Sequence, residues 1–194
     1  MRRVLPVVLA LLTAFGAAGC PRSSEPTYYA LAPTPGQVWN SPLQRVKVLR
    51  VGLAGYLDRG TIVRRIVDHR LDLAAGEHWA EPLGSMLMLT LAQNLAMRLP
   101  STGVFTEGAG VQVEPDAVVY VRLERLDMVG DRVVLRAQFS VQLPGQEPSQ
   151  PARVELSQEP RTSSVSALVG AENQLLGMLA DQVARRLSGE ARLK

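Results

Sequence analysis

Ala117-Val118-Val119-Tyr120-Val121-Arg122-Leu123-Glu124-Arg125-Leu126-Asp127-Met128 is followed, past Val129-Gly130, by Asp131-Arg132-Val133-Val134-Leu135-Arg136-Ala137-Gln138-Phe139-Ser140-Val141-Gln142-Leu143. The second run alternates with a period of two. Val133, Leu135, Ala137, Phe139, Val141 and Leu143 fall on one face, and Arg132, Arg136, Gln138, Ser140 and Gln142 fall on the other, the signature of a half-buried strand. Gly130-Asp131 between the runs supplies a two-residue turn, so the stretch predicts an antiparallel hairpin. A sheet with one apolar face needs a second layer to cover it.

That layer is legible on both sides of the hairpin. Upstream, Leu83, Leu87, Leu91, Leu95 and Leu99 recur every four residues with Met86, Met88 and Ala92 beside them, which predicts a buried helix within 79–99. Pro82 suits its first turn and Pro100 stops it. Met86 and Met88 fit either plain core or an adaptable apolar groove. Downstream, Val165 to Leu187 carries Leu168, Leu175, Leu179, Val183 and Leu187 on one side after a Ser163-Ser164 start, a second amphipathic helix. Further β-rich runs occupy 44–53, 61–67, 70–75 and 152–158, while 144–151 is a polar loop and the stretch with Gly103, Gly108 and Gly110 reads as a connector. The expectation is an α+β domain over 44–188, mainly an antiparallel sheet with two long helices packed on one face, ending in a tail over 189–194.

The N-terminus follows a different logic. Arg2 and Arg3 precede an apolar run from Val4 to Leu12, too short for the roughly 20 residues that span a bilayer, and the run closes on Gly16-Ala17-Ala18-Gly19-Cys20. Residues 1–19 read as a cleaved secretory signal. Cys20 is the sole cysteine, directly after small residues, which predicts a lipoprotein site carrying S-diacylglycerol and N-acyl groups; an unpaired free thiol in an oxidising compartment is the alternative. Residues 20–43 are rich in Pro, Ser, Thr and Gly and predict a flexible tether, with Tyr28-Tyr29-Ala30-Leu31 an apolar island able to add an edge strand or sit against the domain. Pro21 rather than Asp after the lipidated Cys favours the periplasmic face of the outer membrane over the inner membrane. Without Arg2 and Arg3 the 21 basic residues become 19 against 18 acidic, so the charge of the leader accounts for most of the basic balance and no nucleic-acid footprint is expected.

Catalytic equipment is sparse. The domain holds two histidines, His69 and His78, and Asp68, His69, Asp72 and His78 lack the spacing of a metal site. The glycine-rich stretch has no Lys-Ser/Thr behind it, no Gly-x-Ser-x-Gly elbow occurs, and Glu124 with Asp127 reads as an exposed strand end. The expectation is no catalytic residue, no metal and no cofactor beyond the acyl groups on Cys20.

Four ordered segments carry a resemblance. Tyr56-Leu57-Asp58-Arg59-Gly60-Thr61-Ile62-Val63-Arg64 resembles the ABC-type transport auxiliary lipoprotein family, the PqiC-like intermembrane transport lipoproteins. Tyr28-Tyr29-Ala30-Leu31 resembles the family's Tyr-Tyr-x-Leu, Trp79-Ala80-Glu81-Pro82-Leu83 its helix entry, and Leu91-Ala92-Gln93-Asn94-Leu95 its helix body. Gly60 departs from the Pro that many members carry. The resemblance implies a non-enzymatic adaptor: a homo-oligomer that docks a periplasmic MCE-domain tunnel protein at the outer membrane for lipid transport. Tyr28, Tyr29, Tyr56, Leu57, Arg64 and Trp79 become candidate contact residues, each with a plain packing role as the alternative. A structural lipoprotein assisting barrel assembly and a lipid-binding carrier are the rival readings, with a hydrolase behind them.

Overall fold

The structure, a computed structural model, describes residues 25–110, 113–147 and 149–189. Cys20, the signal segment and the 190–194 part of the tail lie outside the described residues. The fold is α+β, as the patterning predicts. Among the described residues nine strands run in chain order: β1 (Thr27–Tyr29), β2 (Arg45–Val48), β3 (Gly52–Leu53), β4 (Thr61–Val67), β5 (Arg70–Trp79), β6 (Gly103–Thr106), β7 (Ala117–Val129), β8 (Arg132–Gln142) and β9 (Ala152–Gln158). Helix α1 (Leu83–Arg98) stands between β5 and β6, and α2 (Val165–Leu187) closes the chain.

β7 is the spine of the sheet. Along one edge it pairs with β8 in antiparallel register from Val118↔Gln142 to Val129↔Arg132, closing on the Gly130-Asp131 turn, and β9 pairs beyond β8. Gly130 takes the positive φ that such a turn requires. Along its other edge β7 meets β2, β3 and β4 in succession, all parallel to it. β6 extends the sheet beyond β2, also parallel, and β1 adds to β5 in parallel at the opposite margin. Most of the paired length is antiparallel, as expected, through β4–β5, β7–β8 and β8–β9, and the sheet is in addition partly parallel. Period-two patterning reports which face is buried, and it is silent on strand direction.

Three boundaries also move. The run 44–53 is two short strands, because β2 pairs with Val46-level residues of β7 and the chain then bows out before Gly52 rejoins it at Arg122. β5 continues to Trp79, where the Trp79 N–H donates to Gly60 O at 2.7 Å, so α1 begins only at Leu83 with Pro82 as its cap. The glycine-rich connector contains β6, too short and too irregular to show alternation. In contrast, β9 and α2 have the boundaries that the sequence predicts, and the Ser164 hydroxyl accepts from the Ala167 N–H at α2's start.

Both helices pack against each other; α2 covers β8 and β9, and α1 covers β6 and β2. Leu83, Leu87, Leu91, Leu95 and Leu99 are all buried, facing Val119, Leu123, Leu135 and their neighbours across one continuous core with Leu175, Leu179 and Val183 of α2. Burial of side chains of this size contributes about 1.5–3 kcal/mol each before ordering entropy is set against it. Among the described residues no helix is long and apolar enough to cross a membrane.

Candidate functional site at the N-terminal strap

Composition makes 20–43 a flexible tether, yet its described part, 25–43, is bound along the helix pair. The correction has a physical reason: a segment too polar to bury itself can still be held when its backbone meets side-chain partners. The Leu31 N–H points at Met86 Sδ (3.4 Å), the Ala32 N–H donates to Asn173 Oδ1 (2.9 Å), and the Thr34 N–H donates to Asn94 Oδ1 (2.7 Å). Further on, the Trp39 N–H donates to Arg98 O (2.7 Å) and the Ser41 hydroxyl donates to Leu187 O (3.2 Å). Leu31 itself enters the core. This strap runs over α1 and α2 together.

Arg98 is the bolt beneath it. Its side chain is 1% exposed, and its guanidinium reaches α1, α2 and the strap at once. Nε donates to Asp181 Oδ1 at 2.6 Å, Nη1 to Thr34 O at 2.9 Å and Asn94 O at 3.1 Å, and Nη2 to Gly177 O at 3.0 Å and Pro35 O at 3.5 Å. A planar fork with five N–H groups is the side chain suited to so many acceptors. Two glycines give it room. A Cβ on Gly36 would stand 2.0 Å from Arg98 Nη2, and one on Gly177 would stand 2.1 Å from Thr34 Oγ1. Sequence reasoning missed Arg98 because a basic residue in the last turn of a helix is ordinarily solvated and favours the helix dipole.

The candidate contact residues divide between core and surface. Leu57 (3% exposed) and Trp79 are buried in the core. Tyr56 is half-buried, and its hydroxyl accepts the Leu126 N–H at 3.4 Å, filling the gap between β3 and β4 along the edge of β7. Burial, then the nearby Asp127 carboxylate, raises the Tyr56 phenol above its usual range. Tyr29 is part-buried in β1, and burial followed by the adjacent Glu77 raises its phenol as well. Tyr28 is 66% exposed, its ring centroid 5.8 Å from that of His78 with the two planes tilted by 35°. Arg64 is half-exposed and pairs with Asp72 at 3.1 Å, sharing that carboxylate with Arg65. The two guanidinium groups hold Asp72 below the usual carboxylate range, the Arg65 hydrogen bond contributing most.

Three of the four resembling segments meet at one joint. Tyr29 registers opposite Trp79, the Ala80 N–H donates to Tyr29 O at 2.8 Å, and the Trp79 N–H reaches Gly60. The fourth supplies Asn94, the acceptor for the strap. These sequence signatures therefore fall on the residues that join the N-terminal segment to the domain.

Two buried carboxyls stand apart from this joint. Glu172 on α2 is buried with Oε2 unpartnered, and burial, with Asp127 adding to it, raises its acid well above the ordinary range. Asp127, read from sequence as an exposed strand end, is fully buried, with Oδ1 bound to Arg125 Nε at 2.6 Å and Oδ2 unpartnered. The register shift between Leu123 and Arg125 exchanges the faces of β7, so that Leu126 stands opposite the buried Leu135 and Asp127 shares the other face with Arg125. His69 sits at the β4–β5 turn, and among the described residues no group of three or more His, Cys, Asp or Glu side chains is placed to hold a metal.

The family model for the ABC-type transport auxiliary lipoprotein component matches residues 29–184. A crystal structure described as that of an uncharacterized protein superposes with a TM-score of 0.71 at 19% identity, covering 85% of this chain and 100% of the other. Protein XCC0632 of Xanthomonas campestris, of the DUF330 family, gives 0.69 at 17% identity over 86% of this chain and 98% of its own. The hypothetical protein CT253 of Chlamydia trachomatis gives 0.50 at 8% identity, covering 75% and 98%. At these identities the structural likeness is one of fold. Among curated proteins none matches the chain.

Proposed function

We propose a function that starts from one premise: this chain belongs to the family of ABC-type transport auxiliary lipoprotein components. Membership makes it a transport-associated lipoprotein of the cell envelope. Our reading goes further. The protein is a non-catalytic adaptor, anchored through acyl groups on Cys20 in the periplasmic face of the outer membrane, where it docks the MCE-domain tunnel protein of an intermembrane lipid transport system and assembles with copies of itself.

The observation that carries this reading is the bolted strap. An enzyme or a free carrier gains nothing from welding its N-terminal segment to both helices, whereas a docking piece must pass force between anchor and domain. Arg98 and its five acceptors make the segment after Tyr28 part of the rigid body. Only the residues from Cys20 to Pro26 then separate the lipidated position from the first strand, a reach of at most about 24 Å at full extension. The domain is held close to its membrane, where a tunnel end must be met.

The test is gentle detergent extraction of the tagged, lipidated protein from its native envelope, followed by mass spectrometry of the accompanying proteins and lipids. The adaptor reading expects an MCE-domain protein in the eluate, lost when the tether is cut by protease before extraction. A β-barrel in its place supports the assembly-factor rival. A monomer with stoichiometric phospholipid supports the carrier.

A further inference from the structure

One end of the sheet gathers features that neither the core nor the strap uses. The β4–β5 hairpin ends in Asp68-His69, both at positive φ, so two ordinary residues accept a conformation that favours glycine in order to make a tight tip. Just behind the tip, Ile66 is 40% exposed and Val67 43%. β4 lies parallel to β7 with Arg65 opposite Met128, so the β7–β8 turn and the exposed Val129 lie at the same end. Arg64, Arg65, Arg70 and Arg132 stand within four residues of these aliphatic residues along the same two hairpins, with Asp68, Asp72 and Asp131 among them. Arg64 and Arg65 share Asp72, and Arg132 is bound to Ser157. An apolar tip with arginines beside it fits the boundary between acyl chains and phosphate headgroups.

The path of the chain points the same way. β1 runs parallel to β5, with Thr27 opposite Glu77, so the direction upstream of Thr27 is the direction of Arg70 and the hairpin tip. Measured along β4, the tip projects five residues beyond Ile62, about 17 Å. Cys20 lies seven residues before Thr27 and can reach about 24 Å from it. The two lengths are comparable. A bilayer that holds the acyl chains of Cys20 is therefore within reach of Ile66, Val67 and Val129, with the opposite end of β7 and β8 about 40 Å away.

We infer that this end of the sheet, Ile66 and Val67 at the β4–β5 tip with Val129 beside them, rests on the phospholipid bilayer that holds the lipid anchor, its arginines meeting headgroup phosphates. The inference rests on the lipoprotein reading of Cys20. It fixes the orientation of the domain: β7 and β8 stand away from the membrane, and the Pro144–Glu147 loop is presented to the periplasm.

In the lipidated protein Cys20 is a thioether, so a cysteine introduced elsewhere is the one free thiol. Ile66→Cys and, at the far end, Glu147→Cys are labelled with an environment-sensitive fluorophore and reconstituted in vesicles of phosphatidylethanolamine and phosphatidylglycerol containing brominated acyl chains. The expected result is a blue-shifted label at 66 quenched several-fold more than the label at 147. A second variant, Val129→Cys, should be quenched as well, and it serves if the tip tolerates the label poorly. Protein that floats with the vesicles while neither 66 nor 129 is quenched beyond 147 overturns the membrane contact and leaves the anchor standing. Protein that fails to float overturns the anchor reading and the contact with it.

Discussion

The strap and the β4–β5 hairpin invert each other. The strap, 25–43, has the composition of a linker, and it is fastened at Leu31, Ala32, Thr34, Trp39 and Ser41 to two helices. The hairpin has the composition of a core strand pair, with Ile62, Val63, Ile66, Val67, Leu71 and Leu73, and it ends with Ile66 and Val67 in solvent. Composition measures what a segment can bury of itself. What holds it in place depends on partners elsewhere in the chain: here Asn94, Asn173 and Arg98 for the strap, and for the hairpin tip a surface outside the molecule.

The contrast is broken most forcefully at Arg98. Arg98→Ala removes the bolt and leaves Asp181 and four carbonyls without their donor, for which about 3–5 kcal/mol of unfolding free energy should be lost, the usual cost of breaking a buried pair. Asp181 is about one-third exposed, so the lower half of that range is expected, read from urea denaturation. Chymotrypsin cleavage within 25–43, after Tyr29 or Trp39, should quicken in the same variant. If the strap stays protected, Arg98 is not what fastens it.

Gly36→Val tests the same seat from the strap's side. Its Cβ would stand 2.0 Å from a guanidinium that five acceptors hold in place, so the strap must lift locally, at about 1–3 kcal/mol. Detachment from one point should cost less than losing the bolt. Equal losses in the two variants would mean that the strap unfolds as a unit.

A smaller effect, opposite in sign, is expected on α2 beside Asn173, one of the residues that hold the strap. Glu172 is buried with its acid held well above 4.5, so in the folded state it keeps its proton where the unfolded chain releases it. The unfolded state then binds fewer protons, and stability falls as pH rises from about 4.5 toward the raised folded value. Glu172→Gln cannot ionise. Its melting temperature should exceed the parent's by a few degrees at pH 7, and the two should converge as pH falls toward 4. A difference independent of pH would assign the gain to packing.

These residues also mark where sequence reading stops. The β7–β8 hairpin, β9 and both helices were legible because hydrophobic periodicity is local, and so was the apolar island at Tyr28-Tyr29, which pairs with β5. The parallel pairings of β2, β3 and β4 with β7 join segments with no mutual signal in their sequences. Arg98 and Asp127 were unreadable for a related reason. A charged residue in a helix's last turn, or near a strand's end, is ordinarily solvated, and here each is buried with an ion-pair partner, Asp181 in one case and Arg125 in the other. The family signature did identify the joint of Tyr29, Gly60 and Trp79, though as a pattern whose backbone hydrogen bonds only the fold reveals.

The smallest stability effect belongs to the hairpin tip, and its smallness is informative. Ile66→Ser with Val67→Ser removes aliphatic groups already about 40% exposed, at the end of a pair whose remaining register, Val63↔Leu73 and Arg65↔Asp72, is untouched. Replacements at such positions usually change unfolding free energy by less than about 0.5 kcal/mol each. The double variant should therefore melt within a few degrees of the parent, while a strap variant does not. A core strand truncated in this way would lose far more, so a large fall in melting temperature would show the tip to be packed and return Ile66 and Val67 to an internal role. If stability holds, β-branched residues at this tip contribute little to the fold. Their presence is then accounted for by what they touch outside it.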